Sequence, residues 1–315
     1  MAVAFGIVFS SGNAVALPYL GVDTENPIAY DAMVKDSGRP LKWVLRYLDD
    51  TYASLSKEGM DNLVLPPRNI SVMIVTLQIQ ANLADIAAGK RDDNLKKIAQ
   101  EMADWQKAHP YVQLMIRPFH EMNGDWYPWG FKDGHNGNSV AQFTPAWKHV
   151  RSVMRNEFPA LPFMWCPNVM LGKDDKFASY YPGNDQVELL CLDGYNHSSA
   201  YSGWKTMGKI FDKSLKALRA MPGVDASKPI VIAETGTTEP DAASAAKGHS
   251  KAEWFDGMGV WLHKEAPTYG VIAVLYFNYN KKLGDKPVDY LVYDPLIATG
   301  TASRDAFRKA VHDLP

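Results

Sequence analysis

The sequence predicts an α/β fold, a single-domain (β/α)8 barrel of the TIM type, on three observations. Eight short apolar runs recur along the 315 residues, longer amphipathic stretches separate them, and no glycine-rich phosphate cradle follows any of the runs. Alternating strand and helix signals build a parallel sheet covered on both faces, and eight such units close into a barrel. An open doubly wound sheet is the alternative, but its nucleotide-binding version lacks the G-x-G-x-x-G or P-loop it needs.

The strand-like runs are Tyr19 to Asp23, Trp43 to Leu48, Ser71 to Gln78, Val112 to Arg117, Pro162 to Cys166, Val187 to Asp193, Ile230 to Glu234 and Val271 to Asn278. Ile230 to Ala233 is continuously apolar, as a strand buried on both faces must be. Between the runs, "DNLKKIAQEMADWQKAH" spaces Leu95, Ile98, Met102 and Trp105 by three and four, and "FTPAWKHVRSVMRNEF" does the same with Trp147, Val150 and Met154. Such stripes predict helices packed on the outside of the barrel. No low-complexity linker or short-period repeat interrupts the chain, so residues 17–315 read as one compact domain.

Residues 1–16 read separately. Ala2 to Phe9 are apolar and lead through "SSGN" to Ala14-Val15-Ala16, the small-residue form of a signal-peptidase site before Leu17, without the usual positive n-region. Export is the expectation, giving a secreted or periplasmic protein, with an apolar lead-in to the first strand as the alternative. No run of eighteen or more apolar residues occurs, so no membrane-spanning helix is expected.

The net charge is −2 and the lysines and arginines are scattered, which provides no electrostatic footprint for nucleic acid or an anionic membrane. A neutral partner fits, and a monomer is expected. Nine tryptophans and fifteen tyrosines suit the apolar faces of sugars. Cys166 and Cys191 lie in apolar runs without the spaced partners of a zinc site or a disulfide framework, and are read as buried thiols.

In a barrel of this kind, chemistry sits at the C-terminal ends of the strands. That rule selects Glu121, just past the fourth run in "RPFHEMNGDWYPWG", and Glu234, ending the seventh in "PIVIAETG". Two carboxyls approaching a bound molecule from opposite sides suit glycoside cleavage: one is a protonated acid, the other an ionised nucleophile, about 5 to 5.5 Å apart in retaining enzymes. Tyr195 and Arg117 are expected to keep Glu234 anionic, while His120 and Trp126 wall Glu121 so that it holds its proton longer. Trp126 and Trp129 follow Glu121 on a loop punctuated by Gly124, Pro128 and Gly130, and are expected to stack on pyranose faces. Asn168, Asp193, Tyr195 and Asn196 end the fifth and sixth runs with groups suited to sugar hydroxyls, with loop capping as the competing role for Asp193 and Asn196. The "HE" of a zincin is present, but position 124 is Gly where the second histidine belongs, and no G-x-S-x-G elbow marks a serine hydrolase.

These residues carry a specific likeness. "RPFHEMNGDWYPWG", "WCPN", "YYPGNDQVELLCLDGYN" and "KPIVIAETG", in that order, resemble the signature blocks of glycoside hydrolase family 26, which contains mainly endo-β-1,4-mannanases. The resemblance implies a clan A (β/α)8 barrel that works by double displacement with retention and without cofactor or metal. It implies Glu121 as acid/base and Glu234 as nucleophile, His120 and Trp126 as contacts to the sugar at the cleavage point, and Asp193 with Tyr195 as a strand-six pair whose tyrosine holds the nucleophile. The third and eighth runs end "VTLQIQ" and "LYFNYN", departing from the aromatic and basic residues that many relatives carry there. β-1,4-Mannan is the leading expected substrate. Mixed-linkage β-1,3-1,4-glucan, β-1,3-xylan or an exopolysaccharide are alternatives within the same mechanism, and a non-catalytic polysaccharide-binding barrel is the alternative from another class.

Overall fold

A computed structural model describes residues 16–24, 26–51, 57–64, 68–201, 203–292 and 301–315. Eight strands form one parallel sheet: β1 (Tyr19–Asp23), β2 (Trp43–Asp49), β3 (Val72–Gln78), β4 (Gln113–Pro118), β5 (Met164–Trp165), β6 (Leu189–Asn196), β7 (Ile230–Thr237) and β8 (Val271–Phe277). Their order is β4-β3-β2-β1-β8-β7-β6-β5, and a parallel bridge between Ile116 and Phe163 joins the two ends. The sheet thus closes on itself, as expected, and every expected run overlaps its strand, although β2 and β4 extend one residue and β6 and β7 three residues past the ends of their runs. The possible leader falls on residues 1–15, outside the described residues, apart from Ala16.

Strand alternation divides the apolar residues into two cores. Val44, Met73, Leu114, Ile116, Leu190, Ile232 and Val274 point outward into the helical layer. Trp43, Leu45, Val72, Ile74, Met115, Met164, Cys191, Ala273 and Leu275 fill the barrel interior. The helix Asp92–Ala108 buries Leu95, Ile98, Met102 and Trp105, and Val140–Glu157 buries Trp147, Val150 and Met154, the residues their spacing selects. Each such side chain contributes about 1.5–3 kcal/mol of burial. No helix among the described residues is long and apolar enough to cross a membrane.

Two features differ from the expectations. Cys166 and Cys191 are not free thiols; they form a disulfide. The parallel pairing of Trp165 with Leu190 carries the next residue of each strand to the same level, with 4.5 Å between the two Cα atoms. An antiparallel hairpin, β9 (Asn280–Leu283) and β10 (Lys286–Asp289), follows β8. Gly284, at φ 59°, begins its two-residue Gly-Asp turn.

Candidate active site

Two residues beyond the interior core, the same inward alternation presents Asp23 on β1, Tyr47 on β2, Thr76 on β3, Arg117 on β4, Asp193 on β6 and Phe277 on β8. These side chains form a polar floor at the C-terminal end of the barrel. Glu234 on β7 joins them through an irregularity. Val231 and Ala233 already face inward, so strict alternation would turn Glu234 outward. The register shifts there instead: Leu192 pairs with Ile232, but Asp193 pairs with Glu234. This bulge lets two successive residues of β7, Ala233 and Glu234, face inward and so brings the carboxylate in, while Thr235 reaches outward to Met207.

Arg117 is fully buried and organises the floor. Its guanidinium donates to Glu234, to both oxygens of Asp193 at 2.8 and 2.7 Å, and through Nε to Thr76 at 2.9 Å. Tyr195 donates its hydroxyl to the other Glu234 oxygen. Burial alone would raise the Glu234 carboxyl, but the Arg117 charge, helped by the tyrosine, outweighs it and brings the group down to about 2. Asp193 is held above the usual carboxylate range by burial, against the pull of Arg117. It is sealed beneath the floor with no exposed surface, so its place is with Arg117 and not with a substrate hydroxyl as the sequence suggested. The disulfide lies against the same pair: the Cys166 sulfur is 3.4 Å from Asp193 and 3.5 Å from Arg117.

Glu121 reaches the cavity from the loop after β4. Its amide donates to the Cys166 carbonyl at 2.8 Å, and its backbone adopts φ 54°, a left-handed conformation that costs a non-glycine residue about 1–3 kcal/mol. Trp126 donates its indole N–H to one carboxyl oxygen at 2.6 Å, and Asn168 donates to the other at 2.5 Å. Gly124 permits this fold-back, since a Cβ there would meet the Trp126 ring at 2.5 Å. Burial, followed by the nearby Glu234 charge, pushes Glu121 up to about 7 in spite of the two donors. Glu121 thus feels the Glu234 charge, and the two carboxyls are pushed in opposite directions.

His120 is fully buried and kept neutral by burial and by Arg117, and neither ring nitrogen has a partner among the described residues. Two buried nitrogens without a partner call for an explanation. Trp126 is 47% exposed, with its indole N–H held by Glu121. Trp129 is not the sugar platform expected: it is fully buried, stacked on Tyr127 at 4.7 Å, and donates to the His120 carbonyl at 2.9 Å. The loop turns its second tryptophan inward to prop up the histidine. Asn196, also buried, donates to Thr237 and accepts from the Lys205 amide, which is the capping alternative.

Three groups escaped the sequence reading. Asp23 is fully buried, accepts from the Tyr47 hydroxyl at 3.0 Å, and is raised by burial and by Glu234. It ends the first strand, so the rule that selected Glu234 could have found both it and Tyr47. Lys281, on the hairpin, stands over the rings of Phe277 and Tyr195 at 4.5 and 5.5 Å. Among the described residues, Cys166, Cys191 and Asp193 bring ligating atoms together, but the two sulfurs are bonded to each other and offer no thiolate.

Residues 71–257 match the family model described as Glycosyl hydrolase family 26. Endoglucanase H of Acetivibrio thermocellus is 27% identical over 276 residues, covering 83% of this chain and 26% of that protein. A mannan endo-1,4-beta-mannosidase of Bacillus subtilis is 29% identical over 182 residues, covering 56% of this chain and 45% of the relative. The chain thus spans about a quarter of the first relative and under half of the second. Among solved structures, a modular endo-beta-1,4-mannanase from Cellulomonas fimi superposes with a TM-score of 0.64 at 16% identity, covering 94% of this chain and 71% of that one. A beta-mannanase from Bacteroides ovatus gives 0.58 at 15%, covering 94% and 89%. At those identities the superpositions speak to the barrel alone.

Proposed function

The chain belongs to glycosyl hydrolase family 26 and is a glycosidase, and from that premise we propose that it is an endo-acting, retaining β-glycanase whose substrate is β-1,4-mannan. In this reading Glu121 protonates the oxygen of the departing sugar while Glu234 attacks the anomeric carbon. Glu121 then takes a proton from the water that releases the glycosyl-enzyme. Arg117 and Tyr195 hold the nucleophile, Asn168 and Trp126 orient the acid, and His120 with the exposed face of Trp126 contacts the sugar at the cleavage point. The observation that supports the mechanism is the opposite setting of the two carboxyls: Arg117 and Tyr195 donate to Glu234 and hold it low, while burial and the Glu234 charge hold Glu121 up between its donors Trp126 and Asn168. A binding barrel without catalysis has no use for such a setting.

Mannan is supported by relatives named as mannan endo-1,4-beta-mannosidases. A second reading, the same mechanism on a β-glucan, is favoured by one observation: the match to Endoglucanase H runs over 83% of the chain, those to the mannosidases over 56% or less. We take residues 17–315 as the catalytic domain and, from the Ala14-Val15-Ala16 signal, an exported protein. The test is product analysis on galactomannan, glucomannan and mixed-linkage glucan, with NMR of the first-formed anomer. Short β-linked oligosaccharides of retained configuration from mannans are expected. Release from glucan alone selects the second reading, and inverted products overturn the mechanism.

A further inference from the structure

Lys281 occupies the inward face of the hairpin. Along β9 exposed Asn280 and Lys282 alternate with half-buried Lys281 and Leu283, so Lys281 turns toward the barrel and Lys282 toward solvent. The hairpin is anchored: the Tyr290 amide donates to the Tyr279 carbonyl at 3.0 Å, Lys286 donates to the Ala200 carbonyl at 2.5 Å, and Lys251 to the Asp289 carbonyl at 3.1 Å. Its placement of Lys281 is therefore tied to the barrel at several points.

The ammonium rests on two rings of the cavity floor, Phe277 and the Tyr195 that donates to Glu234. Its charge is felt by Glu121, Glu234 and His120. It makes no hydrogen bond or ion pair among the described residues, so its three N–H donors stay open over the Phe277 and Tyr195 rings. A cation held half-buried on aromatic faces is partly desolvated and gains from an acceptor brought to it. A pyranose seated between Glu121 and Glu234 would bring hydroxyl oxygens to that point.

We propose that Lys281 is a substrate-binding residue, its ammonium donating to a hydroxyl of the sugar ring that lies beside Glu234 under the hairpin. The inference rests on the glycanase reading and adds a contact to it. The experiment compares wild type with Lys281→Met, Lys281→Arg and Lys282→Met on the polymer that the wild type cleaves fastest, with melting temperatures as a folding control. Lys281→Met is expected to lose about tenfold or more in kcat/KM, chiefly through a higher KM, the scale of one hydrogen bond to a charged group. Lys281→Arg restores most of it, and Lys282→Met behaves as wild type. The proposal is overturned if Lys281→Met stays within about twofold of wild type, if its loss is confined to kcat, or if Lys282→Met loses as much. A wild type inactive on every β-linked polymer counts against the glycanase reading instead. Equilibrium binding of manno- and gluco-oligosaccharides to wild type and Lys281→Met then decides the Lys281 contact, equal affinities sinking it.

Discussion

Arg117 donates to Glu234 and Asp193 at once, so a single buried guanidinium on β4 supports two carboxyls contributed by β6 and β7. The Arg117→Met variant leaves both carboxyls in a dry interior without their cation. Breaking a buried pair in this way costs about 3–5 kcal/mol, and kcat should fall about 100-fold or more as Glu234 loses its electrostatic support. Urea titration beside initial rates checks both. Unchanged stability and rate would mean that the pair contributes neither.

The two glutamate shifts set the pH profile. Glu234 must be ionised and Glu121 protonated, so kcat/KM should hold through the acid range and fall as pH rises through about 7. The stability signs are opposite. The depressed Glu234 contributes stability that is present above its unfolded value and lost as pH falls through about 2. The raised Glu121 contributes stability that is present below its unfolded value and lost as pH rises through about 7. Glu121→Gln should thus gain melting temperature over wild type more at pH 8 than at pH 5, although it is inactive on polymer. Equal differences at the two values would argue against a raised Glu121.

Trp126 and Trp129 should separate by phenotype although three residues apart. Trp126→Phe removes a donor to Glu121 and keeps an exposed ring, so the alkaline limb should move upward with little loss of stability. Trp129→Ala empties a fully buried site and should cost about 3–5 kcal/mol. Thermal unfolding and the rate profile of both variants test the division, and the reverse pattern would contradict it.

The disulfide predicts that unfolding without reductant exposes no thiol from Cys166 or Cys191. Reduction should cost about 3 kcal/mol for a loop of 25 residues. It should also lower activity, since the Cys166 sulfur packs against Asp193 and Arg117. Two titratable thiols in the oxidised, unfolded protein would exclude the bond.

The barrel was legible because apolar runs and three-and-four stripes report burial directly, and the strand-end rule then picked out Glu121 and Glu234. What periodicity cannot report is an interruption of itself. Alternation on β7 points Glu234 outward, and only the register shift opposite Asp193 brings it in. The disulfide depends on the register of β5 against β6, which no run of apolar residues encodes. Trp129 was misassigned because a loop's composition predicts a turn but not which ring the turn buries. The hairpin had a readable signal, the Gly284-Asp285 turn, but its strands carry only Leu283 and Val288 as apolar residues, too few to stand out as a strand pattern.

The central claim, that Glu234 is the nucleophile of a double displacement, is tested most directly by trapping the intermediate. Incubation with an activated 2-deoxy-2-fluoro glycoside of the preferred sugar, followed by peptide mass mapping, should find one glycosyl adduct, on the peptide carrying Glu234, in enzyme that has lost activity. An inactivated enzyme labelled at any other residue would contradict the account.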